Sequence, residues 1–135
     1  MRMKPTLTYS DATAVMAGCM RAAQQRGIAV SVAIADEAGN LLHFGRMDGA
    51  RSHTVDLANQ KARLAASIGV ATSVIAEMHR QQPSAAAAGF PGGGGAPVIV
   101  NQQCAGGVGV SGATPEIDDA IARAGIAELE AGAEA

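Results

Sequence analysis

Two hydrophobic periods take turns along this chain. Ala12, Val15, Met16, Cys19, Met20 and Ala23 recur at spacings of three and four, which predicts a first helix buried along one stripe. Thr8 or Ser10 can cap it, Asp11 follows Thr8 by three as a capping-box acid, and Gly27 stops it. Residues 28–34 then switch to a period of two. Ile28, Val30, Val32 and Ile34 form a large face, and Ala29, Ser31 and Ala33 a small one. Turn chemistry at Glu37-Ala38-Gly39-Asn40 predicts that 41–47 pairs back as a hairpin.

Asp48-Gly49 ends that strand. Ser52 is placed to cap a second helix that runs to Ile68 and closes at Gly69. One of its stripes is Leu57, Leu64 and Ile68; another is small, with Ala58, Ala62, Ala65 and Ala66, and suits close approach to the small strand face. Thr72 is the expected cap of a short third helix that ends before Pro83. Residues 83–97, with four alanines and then four consecutive glycines, read as a loop. Val98-Ile99-Val100 and the glycine-rich run 106–112 read as a second strand pair, and Thr114-Pro115-Glu116 opens a last helix. This order predicts an α+β fold, an antiparallel sheet of about four to five strands flanked by helices. One domain fills residues 1–135, with 131–135 as a frayed tail.

Composition narrows the function. Hydrophobic residues make up 48%, enough for a continuous core, while Tyr9, Phe44 and Phe90 are the only aromatic rings besides histidine. Few stacking platforms and a formal charge of −2 argue against nucleic acid as a partner. No apolar run approaches the ~20 residues of a membrane span, and the stretch after Arg2 and Lys4 lacks the apolar core of an export signal. The expected location is the cytoplasm, with Cys19 and Cys104 as reduced thiols.

Four features bear on chemistry. Gly107, Gly109 and Ser111 share one strand face that is almost bare backbone, so either a ligand or another element of protein lies close against it. Lys61 falls on the stripe of Leu57, Leu64 and Ile68 and either snorkels to the surface or reaches a ligand as an acid–base group. His53 stands in the first turn of the second helix, as a solvated side chain or a general base. The run Gly92 to Gly95 lacks the Gly-Lys-Ser/Thr of a phosphate loop, and no histidine, cysteine or acid spacing forms a metal site.

Val32-Ala33-Ile34-Ala35-Asp36-x-x-Gly39-Asn40-Leu41, Arg46-Met47-Asp48-Gly49-Ala50, Lys61-Ala62-Arg63, Pro91-Gly92-Gly93 and Gly109-Val110-Ser111-Gly112 occur in order along the chain. Together these blocks resemble the GlcG/HbpS family, which is haem-degrading-domain-like and related to the PduO C-terminal domain. The resemblance implies a profilin- or PAS-like sheet and assembly into homo-oligomers, octamers or smaller rings. Its members include haem-binding sensors, a domain fused to corrinoid adenosyltransferases, and small proteins encoded among catabolic enzymes. Haem-binding relatives are thought to use a histidine near the first helix, and residues 8–26 here contain none; His53, His43, Met47 and Cys104 are the substitutes.

The expected function is binding of haem or of a carboxylate-bearing metabolite, with Arg46, Met47, Gly49, Gly92, Gly93, Gly109, Ser111 and Gly112 as the ligand-binding set. The alternative is a small cofactor-independent lyase or isomerase. There Arg46 would anchor a substrate carboxylate while His53, Asp48 or Lys61 moves a proton.

Overall fold

The first helix, α1 (Tyr9–Gln25), starts where local chemistry dictates: the Thr8 hydroxyl accepts from the Asp11 amide at 3.1 Å, and the Asp11 carboxylate accepts from the Thr8 amide at 2.9 Å. The computed structural model describes residues 1–134. After α1 come β1 (Ser31–Asp36) and β2 (Leu41–Arg46), joined by a turn in which the Asp36 carboxylate accepts from the amides of Ala38 and Asn40. Helices α2 (His53–Ile68) and α3 (Thr72–Gln81) follow, then a single 3₁₀ turn (Ala85–Ala87). Strands β3 (Gly95–Val100) and β4 (Gln103–Ser111) and the last helix α4 (Pro115–Glu134) complete the order.

The four strands lie in the order β2-β1-β4-β3, every neighbouring pair antiparallel. Four helices and an open four-stranded antiparallel sheet make the predicted α+β fold. The large face of residues 28–34 does what its period implies: Val30, just before β1, and Val32 and Ile34 within it join Val98, Val108 and Val110 against Val15, Cys19 and Ile121 of α1 and α4. Each such fully buried side chain contributes about 1.5–3 kcal/mol. The small face, Ala33 and Ala35, meets Ala58 and Ala62 of α2. A β-carbon at Gly109 would strike the Ala58 carbonyl and the Ala62 amide, and one at Gly107 would lie 2.7 Å from the Ala66 amide. The backbone of α2 therefore rests directly on β4. Close packing, not a ligand, covers Gly107 and Gly109.

Several boundaries differ from the sequence reading. Residues 28–30 precede β1, because the Ile28 amide closes the end of α1 on the Ala23 carbonyl (3.1 Å). Ser52 is already helical in backbone (φ −55°, ψ −41°) and its hydroxyl caps nothing. Thr72 is the first residue of α3 and not its cap; it is fully buried, and its hydroxyl accepts from the Gly95 amide at 2.9 Å. That bond, with the Val110 amide donating to the Gly94 carbonyl at 2.9 Å, draws the end of the glycine run into the sheet, so β3 begins at Gly95 and not at Val98. The backbone of α4 stays helical through Glu134, and residue 135 lies outside the described residues.

Both cysteines are free. Cys19 is enclosed between α1 and α4, where burial pushes its thiol up to about 12; Cys104 is half-buried, and its single S–H has the Ala66 and Gly106 carbonyls as alternative acceptors. Among the described residues, no helix is long and apolar enough to cross a membrane.

Candidate functional site

At the end of the sheet where β4 finishes, the first turns of α2 and the first turn of α4 stand apart and leave a cleft of about 430 Å³. Ile28 and Leu57 supply apolar wall, Pro91 and Gly93 close it from above, and Ser111 and Gly112 form part of its floor. The 112–113 turn and Pro115 bring the N-terminus of α4 to one side. Arg51, His53 and Thr54 bring the N-terminus of α2 to the other. Both helix starts turn their partly positive ends toward the same space.

The closed end is ionic. Lys61 is 4% exposed and Asp118 is 2% exposed, and they meet across the cleft with Nζ to Oδ2 at 3.4 Å. Lys61 Nζ also donates to the Val110 carbonyl at 2.9 Å, and Asp118 Oδ1 accepts from the Ala113 amide at 2.9 Å. Burial holds the Lys61 ammonium below its ordinary range and the Asp118 carboxyl above its own. Each partner's charge works against that shift. Beside them the buried hydroxyls of Ser31 and Thr54 share a hydrogen bond of 2.8 Å, and Thr54 donates to the Arg51 carbonyl at 2.6 Å. These bonds fix the start of α2 to β1. Arg51 and His53 are exposed at the mouth.

Of the residues singled out in the sequence, the cleft gathers His53, Lys61, Gly49, Gly93, Ser111 and Gly112. Gly109 lies beneath α2. Arg46 ends β2 in an exposed position outside the cleft lining, and Asp48 is likewise exposed outside it. Met47 packs toward the main core, its sulfur accepting from the Val30 amide at 3.4 Å. Gly92 borders a separate hollow between α3 and α4. His43 stacks on Tyr9 with ring centres 5.5 Å apart, and His79 meets the edge of Phe90 at 4.8 Å. Neither of these histidines lines the cleft. Two members of the site were not singled out. Asp118 has a local reason to be acidic in the first turn of α4, and Arg51 differs from Arg46 only in where the fold puts it. Among the described residues no group of three or more histidine, cysteine or acidic side chains gathers to hold a metal ion.

The family model described as haem degrading protein HbpS-like matches residues 7–127. The chain belongs to the HbpS-like family. Protein GlcG of Escherichia coli is 35% identical over 114 residues, 82% of this chain and 85% of GlcG. The crystal structure of Klebsiella pneumoniae protein ORFY superposes with a TM-score of 0.89 at 30% identity, over 97% of this chain and 95% of that one. A PduOC:heme complex superposes with a TM-score of 0.82, also at 30% identity, over 91% of this chain and 94% of that one. The HbpS-like fold thus extends over both sides of the cleft, from β1 to the first turns of α4.

Proposed function

We propose that the cleft binds a small carboxylate-bearing molecule. The observation that carries this reading is the convergence of two helix N-termini and the Arg51 guanidinium on one cavity with a closed, hydrogen-bonded end. Of the lysine, arginine and acidic side chains on the lining, Arg51 and Lys61 outnumber the single anion, Asp118. A volume of about 430 Å³ lies within the usual range for metabolite sites. Arg51 has the planar fork that holds a carboxylate through two parallel bonds, and His53 sits beside it to add a third donor.

Haem, which the PduOC relative holds, fits these residues poorly. Its porphyrin face is apolar, whereas the closed end of this cleft presents Lys61, Asp118 and Ser111, which a porphyrin face would cover without offering hydrogen bonds. His53 is the one histidine on the lining, and it stands exposed at the mouth.

Calorimetric titration with malate tests the reading. Saturable one-site binding is expected, weakened about 10- to 100-fold in Arg51→Ala, the range for a charge-assisted hydrogen bond. A stoichiometric Soret shift with haemin that disappears in His53→Ala would instead place haem in this cleft.

One observation favours a catalytic use of the same site. An amine whose ammonium form is destabilised by burial, as at Lys61, is suited to take a proton from a bound acid. In that case this chain would be the lyase or isomerase, with His53 exchanging the proton with solvent at the mouth.

Self-association is part of the same proposal. Ile68, Val70, Val74 and Met78 leave an apolar, exposed surface along the end of α2 and α3, with Met78 57% exposed. Sedimentation is expected to give a symmetric oligomer; a 13.5 kDa species at all concentrations would contradict this.

A further inference from the structure

Six polar or charged side chains are buried among the described residues, and five of them are accounted for. Ser31 bonds Thr54, Lys61 bonds Asp118, and Thr72 bonds the Gly95 amide. Ser111 is the sixth. It is 4% exposed, its hydroxyl has no hydrogen-bond partner among the described residues, and it lies on the cleft lining. The hydroxyl is not among the side-chain atoms enclosed without a partner, so it opens onto the cleft and is free to bond what the cleft holds. Its position follows from the strand period. Ser111 continues the face of Gly107 and Gly109 past the point where α2 covers it, and opposite Ser31 on β1.

Lys61 lines the same cleft with capacity to spare. Two of its three N–H bonds go to Val110 and Asp118, which leaves a third. A hydroxyl that can donate or accept and an ammonium that donates together match one neutral oxygen of a ligand better than a second carboxylate. A second anion at that depth would also face Asp118, which already occupies the closed end.

We infer that the closed end of the cleft recognises a hydroxyl or carbonyl oxygen carried by the bound acid, through Ser111 Oγ and Lys61 Nζ, so that the ligand is a hydroxy or oxo acid rather than a simple carboxylate. This rests on the carboxylate reading of the mouth. The ligand then lies along the first turns of α2, its carboxylate at Arg51 and its second oxygen at Ser111. From His53 to Lys61 the helix axis spans about 12 Å, and the Lys61 side chain reaches back along part of that length.

The test compares acids that differ by one hydroxyl set away from a carboxylate, malate against succinate and 3-hydroxybutyrate against butyrate, by calorimetry on the full chain. The hydroxy acid is expected to bind about ten-fold tighter in each pair, as one net hydrogen bond allows. Ser111→Ala is expected to erase that preference, so that the two acids of each pair bind alike, and Ser111→Cys to fall between. Thermal melts check that both variants fold; if Ser111→Ala does not, Ser111→Cys carries the comparison. Equal affinity within the pairs would overturn this inference and leave the carboxylate reading standing. A preference that persists in a folded Ser111 variant would overturn the role of Ser111. Failure of all four acids to bind would overturn the carboxylate reading and this inference with it.

Discussion

Lys61→Ala is expected to lower the free energy of unfolding by about 3–5 kcal/mol, the usual result of removing one partner from a buried ion pair. The side chains of Lys61 and Asp118 are 5% and 3% exposed, so solvent replaces little of what is lost. Asp118 would keep only the backbone amides of Ala113 and Gly112 against a buried charge, and the Val110 carbonyl would lose its side-chain donor. Urea titration of the variant reads the change as a lower midpoint at similar slope. Lys61→Met, which keeps the apolar stem, should be nearly as damaging, because the stranded carboxylate matters more than the lost packing. Adding Asp118→Asn to Lys61→Met should recover part of the loss, giving a coupling above about 1 kcal/mol in the double-mutant cycle. A loss below about 1 kcal/mol for Lys61→Ala would mean that the pair is better hydrated than its burial indicates.

Gly109→Ala is the second large effect, expected to cost about 3 kcal/mol or more, at or above the upper end for overpacking a core. One methyl group there meets the Ala58 carbonyl and the Ala62 amide, and two backbones must separate to admit it. Flexible side chains can turn aside; a helix lying on a strand cannot. The first turns of α2 would lift, carrying Arg51 and His53 away from Ser111, so ligand binding should weaken along with stability. Gly132→Ala is the control. No atom lies within 4 Å of the added carbon, and alanine favours the helix, so that variant should melt no lower than the parent.

The contrast between these glycines shows where reading the sequence stops. The helical period of α1 and its capping box, the hairpin at Gly39, and the large and small faces of β1 rest on neighbours a few residues apart, and all are legible in the chain. The bare face of β4 is legible too, but what covers it is not: α2 lies on Gly107 and Gly109, whereas Ser111 on the same face opens on the cleft. Thr72 looks like a cap because caps are its common use, yet its partner Gly95 comes 23 residues later. The same holds more sharply for Asp118, which lies 57 residues beyond Lys61 and has a sufficient local reason to be acidic. Arg46 and Arg51 are equal candidates by type. The end of β2 carries one away from the cleft, and the start of α2 carries the other to its mouth.

The most direct measurement is a malate titration followed by backbone amide shifts in a ¹⁵N-labelled sample. The account predicts saturable shifts centred on Arg51, His53, Gly93, Ser111, Gly112 and Ala113, with β2 and the outer face of α1 unmoved, and their disappearance in Arg51→Ala. Shifts centred elsewhere, such as on Tyr9 and His43, or no saturable shift at all, would contradict it.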